Sequence, residues 1–210
     1  VYLDSTDQSV FTTNTLIELN ASSFSSGTIS SNTASHQSVT VLNLQGVTLT
    51  NITGNNIQNT SLAILLNDSS DNNDIYDNWL KTNSVGLNIT DSIGNTIKNN
   101  YFENTINVFD DSDNTWNTDY SCTTPNIVSG PCKGGNFYSD YYGLDDGSSD
   151  REQGDGVGDL PSTYTISPSN VNDSYPLVLY VARQYYVPTT TDAASLVGYG
   201  NVSGELTDAE

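Results

Sequence analysis

The sequence predicts an all-β chain whose body is a right-handed parallel β-helix, a solenoid of short Asn-rich coils with strand-like extensions at its ends. Two observations lead to this fold class. The chain repeats itself with a period of 22 to 23 residues, which is typical of solenoids. Each copy holds apolar clusters of two to five residues separated by Asn, Asp, Ser and Gly. Such clusters are too short for helices and are typical of strands joined by tight turns.

The repeat is clearest where residues 61–83 match residues 84–105 with one residue dropped between the halves. A shorter copy begins at Asp111 and a looser one at Val41. The matched pairs are Ile64 with Leu87, Leu66 with Ile89, Asn73 with Asn95, Ile75 with Ile97 and Trp79 with Tyr101. Stacked copies place like residues about 4.8 Å apart, so we expect ladders of Asn amides. A leucine-rich horseshoe or a β-sandwich is the alternative, although a horseshoe expects a longer, leucine-patterned unit.

The pattern divides the chain into four regions. Residues 1-37 form an N-terminal cap or the first coil, and residues 38-120 form the coils. Residues 121-177 form a disulfide loop followed by an acidic, Gly-rich closing segment. Residues 178-210 form a C-terminal strand and tail, which either adds a strand to a neighbouring molecule or folds onto its own domain.

Composition predicts an exported protein. The 25 acidic and 5 basic residues give a net charge of −20, which argues against nucleic acids and anionic lipid surfaces as partners. No apolar stretch approaches the roughly 20 residues of a membrane-spanning helix. The absence of Met and the start at Val1 suggest that a signal peptide has been removed. Cys122 and Cys132 are ten positions apart in a loop-like context, which favours a disulfide over two reduced thiols.

An acidic, Gly-rich stretch predicts a cation site. Its carboxylates belong to Asp145, Asp146, Asp150, Asp155 and Asp159. Hard oxygen donors without nearby His or Cys favour Ca²⁺ over transition metals. The stretch lacks the terminal Glu and flanking helices of an EF-hand. The alternative is a solvated loop that closes the solenoid without metal.

Three short elements follow the repeats: GGNFYSDY at residues 134–141, GDGVGDLP at residues 154–161 and NDSYPL at residues 172–177. Together with the Asn-rich copies they resemble the NosD-like β-helix family, whose repeats are known as carbohydrate-binding and sugar-hydrolase repeats. The resemblance covers about residues 40–177. It implies a β-helix closed by these elements in an exported surface protein, as in methanogenic archaea. The chain departs from the family pattern by an insertion at residues 148–153, by the cysteine loop and by its tail.

Two classes of function remain open from the sequence. The first is a structural subunit of a filament, sheath or surface layer, whose partners are copies of itself. The second is a carbohydrate-binding or carbohydrate-cleaving β-helix. A hydrolase needs two carboxylates within about 5 to 10 Å. The candidates are the pairs Asp68 with Asp91 and Asp74 with Asp77, and the candidate sugar-stacking rings are Tyr138, Tyr141 and Tyr142. The alternative is that the acids serve turns and that the rings pack the end of the solenoid. The five basic residues that a lyase would draw on have no recognisable catalytic motif, and His36 is the lone histidine.

N-linked glycans are a further expectation. The seven Asn-x-Ser/Thr sites are Asn20, Asn51, Asn59, Asn67, Asn88, Asn172 and Asn201. Chance alone gives about six such sites in a chain so rich in Asn, Ser and Thr. Export, rather than the count, is therefore the reason to expect occupancy, and glycans would shield strand edges and solubilise a polymer.

Overall fold

The computed structural model describes residues 1–4, 9–36, 38–147, 152–159, 163–179, 185–189 and 196–200. The chain divides into two compact units, Val1–Leu179 and Tyr180–Glu210. All regular structure in the described residues is β-strand, which confirms the predicted class. The strands are β1 (Tyr2–Asp4), β2 (Val10–Thr12), β3 (Leu19–Ser22), β4 (Thr28–Ser30), β5 (Thr33–Ser35), β6 (Thr40–Gln45), β7 (Asn51–Thr53), β8 (Asn56–Gln58), β9 (Leu62–Asn67), β10 (Asp74–Tyr76), β11 (Trp79–Lys81), β12 (Val85–Ile89), β13 (Thr96–Lys98), β14 (Tyr101–Glu103), β15 (Ile106–Asp110), β16 (Phe137–Tyr138), β17 (Tyr164–Thr165), β18 (Asn172–Asp173), β19 (Tyr185–Thr189) and β20 (Leu196–Gly200).

Three parallel sheets make up a β-helix in the first unit. Sheet 1 has the order β1-β3-β6-β9-β12-β15, sheet 2 the order β13-β10-β7-β4-β2 and sheet 3 the order β16-β14-β11-β8-β5. Successive coils contribute one strand to each sheet. Each of the strands β1 to β5 pairs in parallel with the strand of the same sheet in the next coil. The register of the repeat is as predicted, with Ile64 paired to Leu87, Ile75 to Ile97 and Trp79 to Tyr101.

Each short strand points its central or alternate residue inward, so the apolar clusters of the sequence become columns of one core. The side chains at these positions are buried because the strand period of two sends them to the same face. The columns are Leu19, Leu42, Ile64, Leu87 and Val108 in sheet 1, Ile29, Ile52, Ile75 and Ile97 in sheet 2, and Ala34, Ile57, Leu80, Phe102 and Tyr138 in sheet 3.

The corners between sheets need a left-handed backbone, and this explains the residues found there. The corner between sheets 2 and 3 is occupied in successive coils by Ser31, Gly54, Asp77 and Asn99, with φ of 54°, 64°, 58° and 51°. Glycine adopts this region freely, and Asn and Asp tolerate it better than other residues because their side chains bond nearby backbone. The left-handed corners therefore favour the repetition of Asn, Asp, Ser and Gly at fixed spacing.

Buried asparagines form hydrogen-bonded ladders along the solenoid, as the sequence predicts. In the longest ladder, Asn55 donates from its main-chain N and its Nδ2 to Oδ1 of Asn78, at 3.0 and 2.9 Å. Asn78 donates in the same way to Asn100, at 3.0 and 2.9 Å. All three residues are fully buried. The ladder comprises Asn14, Asn32, Asn55, Asn78, Asn100 and Asn136.

Two shorter ladders follow the same rule at the other corners. Asn73 donates through N and Nδ2 to Oδ1 of Asn95, which donates to Asn114. At the third corner, Asn83 donates through N and Nδ2 to Oδ1 of Asn104. Every step runs in one direction, from an earlier coil to a later one.

Each ladder ends on an Asp carboxylate at the C-terminal end of the solenoid. Asn136 donates from its main-chain N to Oδ2 of Asp173 at 2.7 Å. Asn114 donates from Nδ2 to Oδ1 of Asp110 at 2.9 Å. The third ladder passes from Asn104 through Oδ1 of Asn107, whose Nδ2 donates to Oδ1 of Asp140 at 2.7 Å. An ionised carboxylate only accepts hydrogen bonds, so it ends a chain of donors without leaving one unpaired.

Residues 163–179 close this end of the solenoid. Ser167 and Ser169 pair with β15, since Asp110 N donates to Ser167 O at 3.1 Å and Ser169 N donates to Asp110 O at 3.0 Å. Leu177 pairs with Phe137 of β16. The antiparallel strands β17 and β18 lie in the sequence on either side of Ser167 and Ser169. The closing segment therefore replaces a further coil and covers the end of the core with Ile166.

The second unit contains β19 and β20, which pair as antiparallel strands with Tyr185 opposite Gly200 and Thr189 opposite Leu196. An isolated hairpin of this size is marginally stable in water.

Replacement of the central ladder asparagine tests the ladder. We expect Asn78→Asp to lower the free energy of unfolding by about 3 kcal/mol or more at neutral pH. The new carboxylate faces acceptors, Asn100 Oδ1 at 2.9 Å and Ile52 O at 2.8 Å, to which Nδ2 donates in the native chain. Asn56→Asp is the matched control, because Asn56 is exposed on β8 and its change should stay within about 0.5 kcal/mol. Urea unfolding of both variants measures the difference, and equal stability would contradict the ladder's role.

The closing carboxylate predicts a pH dependence. Complete burial outweighs the hydrogen bonds from Asn136, Tyr175 and Tyr138 and raises the pKa of Asp173 from 3.8 to about 7. Between about pH 4 and pH 7 the folded chain therefore binds this proton more tightly than the unfolded chain. The free energy of unfolding should fall as pH rises through that window, by up to about 4 kcal/mol. Denaturant unfolding across the window should show this slope reduced in Asp173→Asn, and an unchanged slope would refute the assignment.

Candidate functional site

The acidic loop after β16 is built around two carboxylates that bind backbone N–H groups. Asp145 Oδ2 accepts from Gly156 N at 2.9 Å, and its Oδ1 accepts from Gly154 N. Asp159 Oδ2 accepts from the N–H groups of Asp146 and Gly147, both at 2.6 Å. The glycines allow the two arms of the loop, residues 145–147 and residues 152–159, to approach each other. Gly147 has a φ of +72° and packs directly against the second arm. Both carboxylates therefore hold the loop in shape.

The remaining predicted ligands are arranged differently. Asp155 Oδ1 accepts from Val157 N at 2.7 Å, and its Oδ2 accepts from the Tyr120 hydroxyl at 2.7 Å. Asp146 is exposed, and Asp150 lies outside the described residues. In the described part of the chain, no three His, Cys, Asp or Glu side chains converge as a metal-binding group.

Asp159 differs from its neighbours. The residue is 3 % exposed, and its Oδ1 is inaccessible to solvent and has no hydrogen-bond partner among the described residues. A carboxylate oxygen buried without a donor or cation costs free energy. A cation bound at Oδ1 would satisfy this oxygen.

Cys122 and Cys132 are joined in a disulfide. The bonded loop is anchored on the acidic segment, because Cys132 N donates to Asp155 O at 2.9 Å. A small second core lies beneath it, with Val128, Cys132, Phe137, Val157 and Leu177 as its buried members. The disulfide loop, the acidic loop and the closing segment are therefore one packed assembly.

The aromatic residues proposed for sugar stacking differ in their exposure to solvent. Tyr138 is fully buried, which agrees with the packing alternative and excludes this ring from sugar stacking. It belongs to the core column of sheet 3, and its ring stacks on Phe102 and on Tyr164, with centroids 5.5 and 3.7 Å apart. Tyr141 is partly buried, whereas Tyr142 is 87 % exposed. Burial leaves only the latter two accessible to a ligand.

An aromatic column on the outer face of sheet 3 was not identified from the sequence. Trp79, Tyr101 and Phe137 stack with centroids 4.5 Å apart at each step. Lys81 Nζ lies 5.1 Å from the Tyr101 ring centroid and 3.4 Å from Glu103 Oε2. Burial, and then the hydrogen bond to Glu103, raises the pKa of Tyr101 to about 12. The alignment of Trp79 with Tyr101 in the repeat is the sequence signal from which this column could have been predicted.

The acid pairs considered for hydrolysis are surface features of turns and strands. Asp68 and Asp91 are exposed and occupy left-handed corner positions in successive coils. Asp74 Oδ1 lies 4.0 Å from Lys98 Nζ, and Asp77 Oδ1 accepts from Asn99 Nδ2. Each member thus has an evident structural role in its own turn or strand.

The glycosylation sites fall into two groups. Asn51, Asn59 and Asn172 are exposed. The partly buried group consists of Asn20, Asn67 and Asn88. In this second group Asn20 Nδ2 donates to Glu18, and the side-chain oxygens of the other two residues are inaccessible to solvent. Asn201 lies outside the described residues. Accessibility therefore favours glycans in the first group.

Comparison with known proteins places this architecture in a family. The model of the NosD family, described as periplasmic copper-binding protein, matches residues 1–143, which span the solenoid. The chain belongs to the NosD family. The resemblance found in the repeats is thereby confirmed, and the acidic loop and closing segment lie beyond the matched residues. No curated protein and no solved structure matches the chain.

Membership in the NosD family raises the question of copper, and the residues present do not fit it. Copper sites in proteins use His, Cys and Met ligands. This chain has one His, no Met and two Cys, and both Cys are in the disulfide. His36 is exposed at a turn. The chain thus keeps the NosD fold without the ligand types of a copper site.

The NosD family is periplasmic by description, and a disulfide is typical of oxidising compartments. Both observations identify the chain as an exported protein. No helical segment in the described ranges has the length and hydrophobicity of a membrane span.

Proposed function

We propose that this NosD-family chain is a structural protein of the cell surface, a self-associating subunit of a filament, sheath or surface layer that carries N-linked glycans and binds Ca²⁺. The observation that carries the proposal is the structural use of its buried carboxylates. Asp110 and Asp173 terminate ladders, and Asp155 and Asp159 bind backbone N–H groups of the acidic loop. The buried polar chemistry of the molecule thus serves rigidity, which suits a building block.

Calcium binding is supported by one carboxylate. Asp159 Oδ1 is buried, without a hydrogen-bond partner in the described part of the chain, beside a loop that contains exposed acidic residues. Ca²⁺ accepts flexible sets of carboxylate, carbonyl and water oxygens, so a single buried carboxylate oxygen can be completed by backbone carbonyls and water. The ion would link the two arms of the loop and stabilise the closed end of the solenoid.

Carbohydrate binding is the second candidate, and the column of Trp79, Tyr101 and Phe137 favours it. Trp79 is 37 % exposed and follows the shorter side chain of Asn56 in its column, so part of one ring face is open. Aromatic rings beside amide and charged groups are a common means of binding sugars. This candidate concerns sheet 3 and requires no polymer.

Electron microscopy of native material tests self-association. We expect negatively stained fibres or sheets, since a rigid subunit with repeated surfaces polymerises in a regular way. Isolated particles that bind or cleave an acidic polysaccharide would instead support the carbohydrate candidate. Trp79→Ala separates the two, because it should leave the polymer intact and abolish sugar binding.

Chelation tests the calcium proposal. Removal of Ca²⁺ with EDTA should lower the melting temperature by about 5 to 10 °C, the effect of a ligand present at about 100 times its Kd on a chain of this size. Asp159→Asn should lose most of the EDTA effect, whereas Asp119→Asn, at an exposed position before the disulfide loop, should retain it. An unchanged melting temperature with EDTA, together with no Ca²⁺ by elemental analysis, would refute calcium binding.

A further inference from the structure

The outer face of sheet 1 differs from the rest of the surface by its lack of charge. The strands β3, β6, β9, β12 and β15 contain one charged residue, Asp110, and this residue is fully buried. Sheets 2 and 3, by contrast, carry Asp74, Lys98, Lys81 and Glu103 on their strands. The first strand of this sheet, β1, contains Asp4, but the other five strands carry no exposed charge, in a chain with 25 acidic residues.

The same face is apolar over its later coils. Two outward columns run across it, one of Thr40, Leu62, Val85 and Ile106, the other of Asn20, Asn43, Leu65, Asn88 and Phe109. Ile106 is 51 % exposed and Phe109 is 36 % exposed, and the other apolar members are partly exposed. Contiguous exposed apolar residues on a sheet of a highly charged protein mark an interaction surface.

We propose that this outer face of sheet 1 is the surface through which two copies of the chain associate. The inference rests on the proposed self-association and assigns it a location. Two molecules that each carry a net charge of −20 repel one another on approach. This repulsion is weakest when they approach through faces that carry no exposed charge, so the distribution of charge favours a second copy in this orientation. Sheets packed face to face in this way bury alternating outward residues of both partners.

The edges of the face define the arrangement of the two copies. A row of exposed acids, Asp68, Asp91 and Asp111, follows the ends of β9, β12 and β15 along one edge. A two-fold axis parallel to the strands would bring the two acid rows together. An axis parallel to the solenoid places them on opposite edges. Repulsion therefore selects two solenoids side by side, with parallel axes and antiparallel facing strands.

The size of the face sets the expected strength. Five strands at about 4.8 Å spacing and about 3.3 Å per residue give roughly 400 Å² on each partner. This lies below the roughly 800 Å² of a standard stable interface. The contact should therefore be weak between two molecules and should become effective in an assembly, where several contacts act together.

Sedimentation velocity of the full chain over a wide concentration range tests the surface. Leu65→Glu places a like charge at the centre of the face and should shift half-association to at least a tenfold higher concentration. Asn56→Glu adds the same charge at an exposed position of sheet 3 and should leave association unchanged. Circular dichroism and the melting temperature verify that both variants fold.

A photo-crosslinking residue at position 65 provides a second measurement, which tests the surface even if Leu65→Glu fails to fold. We expect cross-links to sheet 1 of another copy. Cross-links to residues 180–210 would overturn the proposal and make the C-terminal segment the occupant of the face. A glycan on Asn88, in the middle of the face, would also overturn it.

The outcomes of these experiments distinguish a failure of the proposed surface from a failure of the proposed self-association on which it rests. Association that persists equally in Leu65→Glu overturns the surface but leaves self-association intact. A wild-type chain that remains monomeric at every concentration and forms no polymer in the microscope overturns both.

Discussion

The directional hydrogen bonding of the asparagine ladders is the constraint on which the rest of the structure depends. An Asn such as Asn78 accepts from the preceding coil through Oδ1 and donates to the following coil through N and Nδ2. The amide also fixes the corner, since Asn78 Nδ2 donates to the carbonyl of Ile52 in the preceding coil. A one-residue slip of register would break several buried hydrogen bonds at once and would expose the apolar column. The ladders therefore determine both coil length and register.

Directionality explains how the solenoid ends. An Asn at the last position would need yet another acceptor, whereas a carboxylate needs none. Asp110 and Asp173 provide this termination from inside the fold and are fully buried without a basic partner among the described residues. The aligned amide dipoles point their donors at these groups, as the N-terminus of a helix points its N–H groups at an anion. The cost of burial is visible in the raised pKa of both carboxyl groups.

The coils could be predicted from the sequence because local rules and the fold agree there. The alignment of Asn73 with Asn95 is realised as a ladder step, and that of Ile64 with Leu87 as a strand pair. The closing region could not be predicted in the same way. Asn136 continues the ladder 36 positions after Asn100, because the disulfide loop interrupts the period. Tyr138 enters the core by the same route, and no composition rule distinguishes its ring from the exposed ring of Tyr142.

The distribution of charge connects this architecture to function. Ladders and inward columns fill the interior, so acidic residues other than the ladder ends Asp110 and Asp173 lie mainly at corners, on outer faces and in loops. Corners take many of them because Asp tolerates the left-handed backbone, as Asp77 and Asp91 show. The strands of sheet 1 from β3 to β15 carry no exposed charge, although nothing in the coil geometry forbids Asp or Lys at outward positions such as Leu65 or Val85. Sheet 2 accepts Asp74 at an equivalent outward position. The fold therefore does not require the outer face of sheet 1 to lack charge. Contact of this face with another surface explains the lack of charge.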